Sequence, residues 1–248
     1  MLRFAKLLVA AAALAGGTLA VSAQPAEEVD LLLVMAADVS RSIDVTKFNL
    51  QRSGYAAAIT NPRVLDAIRS GRHGKIAITF VEWSGVNSQR VVIDWMAIGD
   101  DKSAQDFSSQ VVEAQRPFAD RTSISAGIDF AVAQLERSPF KAARRTIDVS
   151  GDGTNNSGGD VGASRDAAIA KGITINGIVI LSATPLAWNA DHTNPPGGLA
   201  NYYRNNVMGG VGSFVMEAQS FESFGQAIIN KLVAEIAELP QQQRYAAR

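Results

Sequence analysis

The chain contains no cysteine among its 248 residues. That excludes a disulfide-stapled scaffold and a zinc–thiolate site. It also excludes a lipid anchor carried on cysteine. Histidine is nearly absent, with only His73 and His192. A serine hydrolase would have to use one of these two, and no G-x-S-x-G elbow accompanies them. No G-x-x-x-x-G-K-[ST] phosphate loop occurs. Gly151-Asp152-Gly153 starts like G-x-G-x-x-G, but Asn156 breaks the pattern and an aspartate there repels phosphate. An excess of either charge is missing too. The 23 Lys and Arg nearly balance the 24 Asp and Glu, giving a net charge of −1. With a pI near 6.1, a nucleic-acid binder is not expected, since such proteins carry a basic surface. Beyond the N-terminal segment no apolar run approaches 18 residues, so no membrane span is expected in the mature chain.

What is present is an apolar content of 47%. That level argues against disorder. The length suits one large α/β domain or two small ones. Residues 1–23 differ from the rest. Arg3 and Lys6 precede an apolar run from Leu7 to Ala20, and Val21-Ser22-Ala23 supplies small residues before Gln24. This is the pattern of a secretory signal with cleavage after Ala23. A periplasmic or secreted protein is expected. Loss of Arg3 and Lys6 leaves 21 basic against 24 acidic residues, a net charge of −3.

The remainder alternates between two periodicities. Apolar runs at Asp30–Ala37, Lys75–Trp83, Arg145–Ser150 and Thr174–Leu181 predict strands buried on both faces. Gln89–Trp95 follows Lys75–Trp83 after a short link, so it predicts an antiparallel edge strand. Ser213–Glu217 predicts a short last strand. Helical patterns lie between: Asp44–Ile59, Ala104–Gln115, Ser123–Glu136, Val161–Lys171 and Ser220–Leu239. On the last of these, Phe221, Phe224, Ile228, Leu232 and Ile236 form a core stripe, leaving Gln226, Lys231 and Glu235 for the solvent face. The expected fold is a doubly wound, Rossmann-like α/β domain over residues 29–239. It would have about six strands, mostly parallel with one antiparallel edge. One irregular stretch, residues 182–212, is long enough to predict a functional excursion, with a short helix at Leu199–Asn206. Residues 240–248 read as a flexible tail.

In open α/β sheets ligands bind beyond the carboxyl ends of the strands. The first strand runs directly into Asp38-Val39-Ser40-Arg41-Ser42. A carboxylate and two hydroxyls at alternate positions are hard oxygen donors, suited to Mg2+, Mn2+ or Ca2+. Two further segments supply partners. Thr122 and Ser123 precede a helix, and Asp152 lies between Gly151 and Gly153 at a strand end. Simple helix capping is the alternative for the first triplet. However, Asp44 can cap that helix alone, and capping does not account for Asp152.

These residues resemble the von Willebrand factor type A family, which includes the integrin inserted domain. Asp38-Val39-Ser40-Arg41-Ser42 is similar to its D-x-S-x-S motif. Thr122 falls where the family places a loop threonine, within Asp120-Arg121-Thr122-Ser123 instead of G-G-T-N. Ser150-Gly151-Asp152-Gly153 is similar to its T-D-G. The long segment 182–212 resembles an exported bacterial subgroup. The resemblance implies a metal-ion-dependent adhesion site built from Asp38, Ser40, Ser42, Thr122 and Asp152. Mg2+ is the first expectation, with Mn2+ and Ca2+ as alternatives. It implies a protein partner that offers an acidic side chain to the metal, and a binding role instead of an enzymatic one. Two alternatives remain: metal-assisted hydrolysis with His192 as base, or a metal site that serves stability alone.

Overall fold

The computed structural model describes residues 26–237. The expected signal at 1–23 and tail at 240–248 lie outside them. Six strands form one sheet in the order β3-β2-β1-β4-β5-β6. They are β1 (Leu31–Asp38), β2 (Ile76–Trp83), β3 (Gln89–Ile98), β4 (Arg144–Gly151), β5 (Thr174–Ile180) and β6 (Val215–Ala218). All neighbours pair in parallel except β3, which runs antiparallel to β2 at one edge. The expected architecture and the edge hairpin are both present.

β1 occupies the centre because its sequence offers no polar side chain before Asp38. Every residue in it is buried. Its side chains alternate between two layers, as strand geometry requires. Leu31, Leu33 and Met35 enter one core, and Leu32, Val34 and Ala36 the other. The first core is covered by α1 (Val45–Ile59), α2 (Pro62–Arg69), α3 (Asp101–Glu113) and α8 (Phe224–Ile236). The second is covered by α4 (Ile124–Glu136), α5 (Val161–Ala170) and α7 (Leu199–Asn206). A short α6 (Ala190–Thr193) sits within the excursion. Burial of each large aliphatic side chain contributes about 1.5–3 kcal/mol.

Side chains begin the helices as the sequence implies. Asp44 Oδ1 accepts from Lys47 N at 2.9 Å and caps α1. Ser123 caps α4 and Asp160 caps α5. Asn61 caps α2 with Pro62 in its first turn.

One expectation fails. Lys231 and Glu235 of α8 do not face solvent; they are 0% and 3% exposed. Lys231 Nζ lies 2.7 Å from Asp148 Oδ1 on β4 and 3.3 Å from Glu235 Oε2. Lys231 and Glu235 lie beside Ile228 and Leu232 on the face pressed against the sheet, and charges can be buried there when each finds a partner. Asp148, inside β4, is the buried acidic end of this ion pair. Burial pushes its carboxyl up to about 7, with Lys231 opposing and Glu235 adding to the rise.

Candidate metal centre

β1 and β4 are adjacent, and the chain winds outward in opposite directions from them. The carboxyl ends of this strand pair are the switch point where α/β sheets hold ligands. Asp38 is the last residue of β1, and Asp152 follows the last residue of β4. Both are fully buried.

The β1 turn is built by its own side chain. Asp38 Oδ1 accepts from Ser40 N at 2.7 Å, and Ile43 N closes the turn on Ser40 O at 3.0 Å. Arg116 Nη2 donates to Val39 O at 2.7 Å and Ser40 O at 3.0 Å, bracing the turn. The hydroxyls of Ser40 and Ser42 are 3.2 Å apart. Ser42 Oγ donates to Asp152 Oδ1 at 2.5 Å. Four of the five expected residues thus meet at one point. Thr122 stands beside them, lining the same cleft as Ser42. Its hydroxyl contacts His192 Nε2 at 3.3 Å instead of the other four.

The threonine loop is fastened by two asparagines that motif reading passes over. Thr122 N donates to Asn156 Oδ1 at 2.9 Å, and Ile124 N to Asn155 Oδ1 at 2.8 Å. Asn156 N and Ser157 N return bonds to Thr122 O. The run Asp152-Gly153-Thr154-Asn155-Asn156 carried a signal in its turn-forming composition.

The electrostatics are unfavourable without a cation. Asp38 Oδ2 and Asp152 Oδ2 are buried and accept no hydrogen bond. Burial, then the charge of Asp152, pushes Asp38 up to about 8. Burial also raises Asp152, although the Ser42 hydroxyl and Lys47 oppose the shift. Lys47 Nζ is 3.6 Å from Asp152 Oδ2, too far for a hydrogen bond. Tyr203 Oη is a third buried oxygen without a partner. A Cβ on Gly151 would overlap Tyr203 Oη and stand 3.1 Å from Asp38 Oδ2, so glycine there keeps the space open.

Two orphaned carboxylate oxygens beside three hydroxyls fit a hard divalent cation. Among the described residues, no group of three or more His, Cys, Asp or Glu side chains is gathered for a metal. The donors here are mainly neutral hydroxyls. Above them opens a cleft of about 270 Å³, lined in part by Arg41, Arg121, Thr122, Trp188 and His192. Trp188 is 63% exposed, whereas His192 is 2% exposed. Burial holds the His192 imidazole below its ordinary pKa.

This sheet order, with a strand-end cleft at the switch point, is the von Willebrand factor type A fold. Solved structures bear this out. The chain is similar to proximal thread matrix protein 1 from the mussel byssus, solved with a zinc-occupied MIDAS motif. The identity is 14% and the TM-score 0.55, covering 84% of this chain and 46% of that one. It is similar to the pilus adhesin SpaC from Lactobacillus rhamnosus GG in its open conformation, at 12% identity and a TM-score of 0.60. There it covers 85% of this chain and 30% of that one. A von Willebrand factor type A protein from Catenulispora acidiphila matches at 14% identity and a TM-score of 0.53, over 84% of this chain and 42% of that one. The chain spans about half the length of the mussel protein and under a third of the adhesin. It belongs to the family described as protein of unknown function (DUF1194), whose model matches residues 28–240. No curated protein matches it.

Proposed function

We propose that this is an exported protein-binding domain. It holds a divalent cation with Asp38, Ser40, Ser42, Thr122 and Asp152, and through that cation binds an acidic side chain of a partner protein. The observation that carries this is the pair of buried carboxylates, each with an oxygen left unbonded. A buried carboxylate oxygen without a hydrogen bond is costly, and a cation removes the cost. Neutral hydroxyls complete the donor set, so the ion keeps excess positive charge for a partner carboxylate. Mg2+ is the ion we favour, because every donor is a hard oxygen; Mn2+ and Ca2+ are the alternatives. The zinc in the mussel protein's MIDAS motif and the adhesin role of SpaC support the same use of the fold.

We place the binding domain at residues 29–239, behind a cleaved signal at 1–23. Among the described residues no helix is long and apolar enough to cross a membrane. N-terminal sequencing of the exported protein should begin at Gln24. We read the site as binding, not catalytic. A hydrolytic role for His192 has less support, since its Nε2 is engaged with Thr122.

The test is calorimetric titration with Mg2+, Mn2+ and Ca2+, followed by a pull-down in cation against chelator. Wild type should bind ion and partner, and Asp38→Ala should bind neither. Equal partner capture by the variant in chelator would sink the proposal. Ion binding without cation-dependent capture would leave a structural metal site.

A further inference from the structure

His192 comes from the excursion after β5, yet its ring is seated among the ligand loops. Its backbone O accepts from Thr154 N at 2.9 Å. Its ring stacks on Trp188 with centroids 6.5 Å apart. It also lies over Gly153, where any Cβ would overlap Nε2. The surrounding bonds fix which nitrogen carries the proton. Asn156 Oδ1 accepts from Thr122 N, so the amide NH2 is the end turned towards His192 Nδ1, at 3.4 Å. An NH2 group only donates, so Nδ1 presents its lone pair and the neutral ring is protonated on Nε2. The Thr154 hydroxyl, 3.3 Å from Nδ1, can donate there as well. Nε2–H is thus the donor to Thr122 Oγ1 across 3.3 Å.

We propose that His192 is a positioning residue of the cation site. Its Nε2–H holds the Thr122 hydroxyl and leaves one oxygen lone pair for the ion. The same proton withholds the ring nitrogen from the donor set. The inference rests on the cation-site reading above. It deepens that reading by assigning the excursion a task and the site a preference. With imidazole excluded, the donor set stays all-oxygen, the kind that suits hard ions such as Mg2+ and Mn2+.

The experiment uses Mn2+ as probe, with calorimetry for affinity and electron spin-echo spectra for bound nitrogen. Wild type should bind Mn2+ with no directly coordinated nitrogen. His192→Leu should bind about 10- to 100-fold more weakly, the usual cost of losing such a supporting group. His192→Gln, whose side-chain N–H can reach the same hydroxyl, should keep most of the affinity. Melting temperatures without metal show whether Leu and Gln pack equally well. A bound-nitrogen coupling in wild type would overturn the proposal by making His192 a ligand. Full affinity in the Leu variant would make it a bystander. A Gln variant as weak as the Leu variant would reduce its role to packing. Asp38→Ala is the separate control: if it binds Mn2+ like wild type, the cation site itself is wrong, whatever His192 does.

Discussion

Asp38 should show two effects of opposite sign. Its carboxyl is raised from 3.8 to about 8 by burial and by Asp152. Between those values the folded protein binds more protons than the unfolded chain, so stability falls as pH rises through the window. Metal-free protein should therefore melt at progressively lower temperature from about pH 5 to pH 8. A saturating cation should flatten the curve. Asp38→Asn should raise the metal-free melting temperature at pH 8 by about 2–4 °C for each kcal/mol relieved. The same variant should lose the cation-induced shift. Scanning calorimetry of both proteins at pH 5 and pH 8 checks this, and a destabilised Asn variant at pH 8 would contradict it. Tyr203 offers a simpler test. Its hydroxyl is buried without a partner, and removing an unpaired polar group is neutral or stabilising. Tyr203→Phe should match or exceed wild type in urea unfolding of the metal-free protein.

Among the elements, α8 is fixed to the sheet by more than its apolar stripe. Lys231 is wholly buried against Asp148 and Glu235. Breaking one side of such a pair costs about 3–5 kcal/mol, because the other charge stays buried and alone. Lys231→Met should show that loss in urea unfolding, more at pH 8 than at pH 5, because Asp148 can take up a proton below about 7. Adding Asp148→Asn should recover part of it. The same helix shows where sequence reading ends. The strands and long helices were legible because their spacing follows from which face is buried. The D-x-S-x-S turn was legible because its donors are contiguous. Lys231 was not, because hydropathy assigns a lysine to water and its partner lies on a distant strand. α2 was not, although Asn61-Pro62 is a start signal, because eight residues give little periodicity. The pairing of His192 with Thr122 spans 70 positions, and no local pattern encodes it.

For the whole molecule, the cation acts through mass action. A ligand that binds only the folded state adds about 2.7 kcal/mol at a hundred times its dissociation constant. Titrating Mg2+ should raise the melting temperature with the logarithm of its concentration; a flat response would mean no binding. Under the proposed function, the balanced charge makes attraction for an acidic partner local to the ion. The Ser42–Asp152 bond joins residues 110 positions apart, and that separation has a consequence in time. β1 is the first strand along the chain, but its turn remains half a site until β4 docks beside it. A cation therefore has nothing to grip during the early steps of folding and engages only when the centre of the sheet has closed. Interactions made that late slow unfolding and leave the folding rate unchanged. The ion is a latch fitted after assembly, so its removal should shorten the lifetime of the folded protein without hindering its formation.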